Sequence, residues 1–237
     1  MHHLSLPPTS VDRAVAQKAA RHTNPLIQNC ARTLTWVADE HVLGAIAAVV
    51  WLLSRRGSLR QRALANHVAA TVTAAVIAPK LIKQAVDRTR PDRVVVGDER
   101  KGVKESGKPH DSFPSGHSVN IAAVVSALSW AYPQKAWLLR TLGAPTAGTR
   151  IADLGHWSTD VVAGLMIGVT LERGARHVLT PEAEGLLAAV DPLRTHISTS
   201  TKGAPRDMSF CSRCQKNSPH TLGALEHFWP RFPTCPK

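Results

Sequence analysis

Charged and aromatic side chains are scarce in this 237-residue sequence. Charged residues make up 19% of it, below the roughly 25% of an ordinary soluble domain, which leans toward helices set in a membrane or in a very buried core. Aromatic residues reach only 5%. That is too few for a stacking stripe, and with no recognition motif it argues against nucleic acid as a partner. Acidic residues are scarcer than basic ones, 17 against 29, for a net charge of +12. The surplus suits an anionic partner such as a lipid head group or a phosphorylated substrate. The four cysteines, at 30, 211, 214 and 235, form no disulfide framework. Cys211 and Cys214, with His220 and Cys235 downstream, admit a zinc knuckle, but a single C-x-x-C is a weak basis and reduced thiols in a loose tail are expected instead. Met1 to Ser10 lacks a basic start followed by an apolar core, so no cleavable leader is expected. Neither strict apolar–polar alternation nor an internal repeat is present.

Five apolar runs rich in Ala, Val, Leu and Gly are present: Val42 to Leu53, Ala63 to Ile82, Val119 to Tyr132, Ala136 to Leu142 and Val161 to Leu171. Their composition predicts helices, hence an all-α helical bundle. The runs are short beside the roughly 20 residues that span a bilayer, and buried core helices of a soluble protein remain an alternative. The mean hydropathy of −0.10 reflects polar, basic ends. If each run crosses once, the arginines at 55–62, Lys135 and Arg173 to Arg176 share one face, which fits a cytoplasmic side. The expectation is five membrane-embedded helices with a possible sixth at the N-terminus. The chain divides into an amphipathic segment, 1–40, a helical core, 41–176, and a basic, loop-rich, partly disordered tail, 177–237. Pro25 should interrupt any single helix in the first segment.

Three polar clusters abut these runs, all on the face opposite the arginines. Lys83 and Arg90 are seven residues apart, two helical turns, so both can project from one face of a helix end, and Pro91 turns the chain away. An ammonium and a guanidinium fork together suit a phosphate. Ser115 is a natural N-cap before the third run, and Gly116 lets backbone approach a ligand at a helix start, which binds anions. His117 follows at once. His156 and Asp160 have i, i+4 spacing, so a helix would set the carboxylate against one imidazole nitrogen and leave the other free to attack. Arg150 lies within reach of the same anion. Taken singly, each cluster also reads as an interfacial cation pair, a turn before a helix, or a His–Asp helix cap.

The order Lys-x6-Arg-Pro, Pro-Ser-Gly-His, Arg-x5-His-x3-Asp resembles the three-part signature of the type 2 phosphatidic acid phosphatase superfamily, which holds membrane lipid phosphatases, nonspecific acid phosphatases and vanadium haloperoxidases. The resemblance covers residues 80–171. Thr149 stands where the family usually has serine, and it keeps the hydroxyl. The resemblance implies that Lys83, Arg90 and Arg150 bind phosphate oxygens with Ser115 and Gly116. It implies that His156 attacks phosphorus, Asp160 orients it and His117 protonates the leaving oxygen. No cofactor or metal is implied, because fixed cations would neutralise the developing charge. The expected protein is a multi-pass cell-membrane phosphatase acting on a lipid phosphate or prenyl diphosphate, its site facing away from the cytoplasm. Two alternatives stand beside it: a soluble acid phosphatase or vanadate-dependent haloperoxidase with the same anion pocket, and a catalytically silent membrane protein that binds anionic lipids.

Overall fold

A computed structural model describes residues 4–22, 25–95 and 106–200 of the chain. In order these form strand β1 (Leu4–Ser5), α1 (Ser10–His22), α2 (Pro25–Thr35), a 3-10 turn at Trp36–Ala38, α3 (Glu40–Ser54), α4 (Leu59–Lys83) and strand β2 (Val86–Asp87). Then come the short α5 (Pro91–Val94), α6 (Gly116–Ala131), a 3-10 turn at Pro133–Lys135, α7 (Ala136–Ala152) and α8 (Ser158–Ser200). Each apolar run falls in its own helix, and the helical architecture agrees with the expectation. α2 opens at Pro25, and residues 23 and 24, between it and α1, lie outside the described residues. β1 pairs in parallel with β2, Leu4 opposite Val86, which fastens the N-terminal segment to the chain just past α4.

Local chemistry sets the helix starts. The Asp39 carboxylate accepts the amides of His41 and Val42 at the head of α3. Ser58 and Gln61 form a reciprocal capping box at the head of α4, satisfying two donors that a helix start leaves orphaned. Ser115 caps α6 by accepting the Ser118 amide. The backbone of α8 stays helical to Ser200, where the sequence had suggested a loop-rich tail from residue 177. Glu182 to Val190 is built mainly of Glu, Ala and Leu, which favour helix and carry it past Pro181. Residues 201–237, with Cys211, Cys214, His220 and Cys235, lie outside the described residues.

α6 is the central helix, packed against α8, α4 and α7. Its contact with α8 is backbone-close. A Cβ on Gly164 would sit 2.8 Å from the Ser115 carbonyl oxygen, and one on Gly168 would strike the carbonyl oxygen of Val119. The two glycines are four residues apart, the small-xxx-small spacing that lets membrane helices approach. This approach fixes the start of α8 beside the start of α6. At the other end of the bundle the buried Glu172 carboxylate meets His67 of α4 (3.2 Å), Ser126 of α6 (2.6 Å) and Arg176 (3.0 Å).

The outer surface has the opposite polarity. Ile46, Val49, Leu52 and Leu53 of α3, Ile77 and Leu81 of α4, Trp137 and Leu142 of α7, and Val162 and Met166 of α8 are exposed. Apolar area of this extent marks contact with a partner or with lipid. Among the described residues two helical stretches, Asn29–Ser54 and Leu59–Lys83, are long and apolar enough to cross a membrane. α6 and α7, at 16 and 17 residues, rise about 25 Å each.

Gly168→Val should lower the unfolding midpoint in detergent, at a cost of about 1–3 kcal/mol or more, because the neighbour it strikes is backbone and cannot turn aside. Gly148→Ala in α7 is the contrast. Nothing lies within 4 Å of its Cβ position, so it should leave stability unchanged or raise it by about 0.5–1 kcal/mol.

Candidate active site

The end of α4, the start of α6, the end of α7 and the start of α8 all lie at one end of the bundle. They bring Lys83, His117, Arg150 and Asp160 together, and the 88–92 and 111–115 segments add Arg90 and Ser115. The His156 ring lies within electrostatic range of Arg150, Arg90 and Lys83, and the His117 ring within range of Arg150 and Lys83. The three sequence clusters therefore share one site.

His156 sits in the turn between α7 and α8, 3% exposed. Its Nδ1 lies 2.6 Å from the carbonyl oxygen of Ser112. A carbonyl only accepts, so Nδ1 carries the proton and the Nε2 lone pair is left for chemistry. Burial first, and then the charges of Arg150, Arg90 and Lys83, hold the ring well below the ordinary imidazole pKa. The ring is neutral and its tautomer is set, the state a nucleophilic imidazole requires.

Asp160 does not do this orienting directly. Its Oδ2 is 3.9 Å from His156 Nδ1, too far for a hydrogen bond. The helical i, i+4 pairing expected from the sequence is not realised because His156 precedes α8, which starts at Ser158. The Asp160 carboxylate instead accepts the Trp157 amide (2.9 Å), the Ser112 hydroxyl (2.5 Å) and Arg88. It caps α8 and holds Ser112, whose carbonyl holds His156. Likewise Lys83 and Arg90 do not share a helix face. α4 ends at Lys83, β2 intervenes, and Arg90 is the residue before α5, with Pro91 its first helical residue.

Each cation is held by oxygen atoms. Lys83 Nζ lies 3.2 Å from Asp111 Oδ1 and 3.3 Å from the Asp111 carbonyl. Arg90 donates to the carbonyls of Lys108 (2.8 Å), Gly155 (2.9 Å) and Asp111 (3.1 Å). Arg150 pairs with Asp153 at 2.5 Å, and Asp153 also accepts the Gly155 amide. A Cβ on Gly155 would come 2.8 Å from Asp153 Oδ1 and 3.0 Å from the Arg150 guanidinium, so a larger residue there would have to push this ion pair aside. Ser115 is fully buried, accepting the amide and hydroxyl of Ser118. The amides of Gly116 and His117 open α6, and a helix start favours an anion there.

Ser112, Arg88, Asp12 and Asp153 complete the site and were not singled out from the sequence. Asp153, three residues past Arg150, carried a helical-spacing signal. Ser112 acts partly through its backbone carbonyl, which leaves none. Asp12 reaches the site from 148 residues away along the chain.

Comparison with known proteins bears on the family of the chain. A family model described as the PAP2 superfamily matches residues 63–182. Two proteins called lipid A 1-phosphatase are similar to the chain. The one from Rhizobium etli is 26% identical over 155 residues, covering 60% of this chain and 67% of that protein. The one from Rhizobium johnstonii is 30% identical over 99 residues, covering 41% of each. Less than half of the latter is therefore matched. The crystal structure of Aquifex aeolicus LpxE superposes with a TM-score of 0.53 at 14% identity, covering 70% of this chain and 95% of that one. A transmembrane PAP2-type phosphatidylglycerolphosphate phosphatase from Bacillus subtilis gives 0.52 at 19%, covering 71% and 84%. At these identities the structural likeness concerns the fold.

A free histidine is half protonated near pH 6.5. Because the His156 pKa is depressed, any turnover that uses its lone pair should persist as the pH falls below 6.5. A profile of kcat/KM against pH checks this. An acid limb at or above 6.5 would contradict a neutral, charge-suppressed His156.

Proposed function

The chain belongs to the PAP2 superfamily, and on that premise we propose that it is a membrane-embedded phosphatase that removes phosphate from a lipid through a phosphohistidine at His156. The observation that carries this is a neutral imidazole, its Nδ1 proton tied to the Ser112 carbonyl, set among Lys83, Arg90 and Arg150. The three cations and the α6 amides would take the non-reacting phosphate oxygens, displacing part of their present pairing with Asp111 and Asp153. The Nε2 lone pair of His156 forms the N–P bond as the P–O bond to the lipid breaks. The departing oxygen takes its proton from His117. Water then attacks phosphorus with His117 as base, the N–P bond breaks, and its electrons return to Nε2. Fixed cations stabilise the charge spread over phosphorus, so the residues present suffice without a metal.

The membrane setting is supported by the apolar exterior of α3, α4, α7 and α8 around a core that buries Glu172 and His67. Buried polar groups paired with one another inside an apolar shell are what a bilayer demands. The basic end, with Arg55, Arg60, Arg62, Arg173 and Arg176, would face the cytoplasm and the site would face away from it. The names of the Rhizobium relatives make a glycolipid phosphomonoester the first substrate to test, beside phosphatidate and a prenyl diphosphate.

The purified protein in detergent should release inorganic phosphate from one of these lipids in the presence of a chelator. His156→Ala should lower kcat by roughly three orders of magnitude or more, as loss of a nucleophile does. Equal activity in the wild type and His156→Ala would overturn the nucleophile assignment. Turnover that disappears with chelator would overturn metal independence. Tight lipid binding without turnover would favour a silent lipid-binding protein, and halogenation only with added vanadate would favour a haloperoxidase.

A further inference from the structure

The N-terminal helix α1, outside the stretch matched by the family model, sends one carboxylate into the core of the site. Asp12 is completely buried and both its oxygens are engaged. Oδ1 accepts the Ser158 hydroxyl (2.7 Å) and the Thr159 amide (2.9 Å). Oδ2 accepts the Thr9 amide (3.1 Å), the Thr159 hydroxyl (2.8 Å) and Arg88 Nη2 (2.7 Å). Arg88, 4% exposed, turns its other nitrogen to the Asp160 carboxylate and to Thr159. The result is a continuous path: Asp12, Arg88, Asp160, the Ser112 hydroxyl, and then the Ser112 carbonyl that holds His156 Nδ1. Apolar packing supports it, since Ala16 and Ala20 of α1 cover Leu154 and Trp157 of the turn carrying His156. Trp157 is fixed in turn by a hydrogen bond to the Thr89 carbonyl (2.7 Å).

We propose that Asp12 is a positioning residue of the phosphatase: by neutralising Arg88 it leaves the Asp160 carboxylate free to balance the positive charge that His156 acquires when it is phosphorylated. The assignment rests on the function proposed above. When a neutral imidazole bearing Nδ1–H attacks through Nε2, the ring becomes a phosphorylated cation. Asp160 is the carboxylate on the Nδ1 side, at 3.9 Å. Arg88 alone would cancel it, and Asp12 restores a net negative charge to the group. Burial by itself would raise the Asp12 pKa, but the hydrogen bonds from Ser158, Thr159 and Thr9 hold it far below the usual carboxylate range. It therefore stays an anion at any working pH.

The variants Asp12→Asn and Arg88→Gln test this, assayed with the wild type on the lipid phosphate it turns over and on a soluble aryl phosphate. The charged groups that face His156 are Lys83 of α4, Arg90 of the following segment, Arg150 of α7 and Asp160 of α8, with Arg88 and then Asp12 of α1 behind Asp160. Asp111 and Asp153 pair two of these cations, and His117 faces the site from α6. Asp12→Asn removes one negative charge from this set without changing shape. It should lower kcat by roughly ten- to a hundredfold, the scale of losing a group that orients a reacting one, while KM changes by about twofold or less. The acid limb of kcat/KM should move to lower pH, because the ring is then harder to protonate. Arg88→Gln should move that limb to higher pH. In the double variant Asp12→Asn with Asp160→Asn, the loss should be no greater than for Asp160→Asn alone. Asp12→Asn at wild-type kcat would overturn the proposal. So would a loss of activity that leaves the pH profile in place and multiplies with Asp160→Asn, since that describes a helix that merely supports the fold. If Asp12→Asn cannot be purified folded, an Arg88→Gln profile that does not shift upward overturns it equally. A wild-type protein that hydrolyses neither substrate would bring down the phosphatase assignment, and this one with it. A wild type that is active beside an Asp12→Asn variant of equal activity would bring down this one alone.

Discussion

A carboxylate with no exposure to water, Asp160, joins the parts of this site. Its oxygens are shared among the Trp157 amide, the Ser112 hydroxyl and the Arg88 guanidinium. Those three donors belong to the turn after α7, the segment before α6 and the segment after α4. Breaking a buried ion pair of this kind costs about 3–5 kcal/mol, because the surviving charge is left uncompensated. The low-dielectric setting that makes the pairing necessary also makes it directional, so the three segments keep one arrangement. Asp160 can reach them only because glycines at 164 and 168 let α8 lie against the backbone of α6.

The cations work under a different constraint. Lys83, Arg90 and Arg150 would repel one another if bare, and each is instead held by carbonyls or by Asp111 and Asp153. Carbonyls orient a guanidinium without cancelling its charge. Arg90, held chiefly by three carbonyls, thus stays charged and fixed, a preorganised receptor for an anion. Lys83 and Arg150 have carboxylate partners that an incoming phosphate must partly replace. A trianionic or dianionic group can do so, whereas a neutral lipid has nothing to offer in exchange. Selectivity for phosphorylated over unphosphorylated lipid follows from this electrostatic competition before any contact with the rest of the substrate.

The helices and the charged residues of the candidate site were legible in the sequence for separate physical reasons. Runs of Ala, Val and Leu report burial through composition, and charged residues next to such runs stand out because burying charge without a purpose is costly. Lys83, Arg90, His117, Arg150 and His156 were visible on those grounds. The partner of His156 was not, because the Ser112 acceptor is a backbone carbonyl and any residue type supplies one. The i, i+4 spacing of His156 and Asp160 suggested a contact on a helix. The chain enters α8 only at Ser158, however, so the spacing is spent in a turn. Arg88, two residues before Arg90, looked like one more basic residue in a basic chain. Nothing short of its burial separates it from the surface arginines. From residue 177 to Ser200, Pro181 and Pro192 argue against helix in the sequence, whereas the Glu, Ala and Leu residues between them favour the helix that forms.

The position of Asp12 explains why the N-terminal segment belongs to the same end of the bundle as the candidate site. A helix that carries Arg13 and Arg21 and exposes Val11 could sit anywhere along a membrane surface if amphipathicity alone placed it. A buried carboxylate cannot, because every oxygen contact it lacks exposes it to an apolar interior at a cost of several kcal/mol. The contacts of Asp12 with Ser158, Thr159 and Arg88, and the β1–β2 pair beside them, fix α1 over the turn that holds His156. Small residues on that face, Ala16 and Ala20, then allow the close packing on Leu154 and Trp157. That packing closes the turn from the side away from the cations. Water and counter-ions could otherwise reach the Nδ1 side of the imidazole and screen Asp160. With that side packed, the charge balance of His156 on its Nδ1 side is set by fixed side chains.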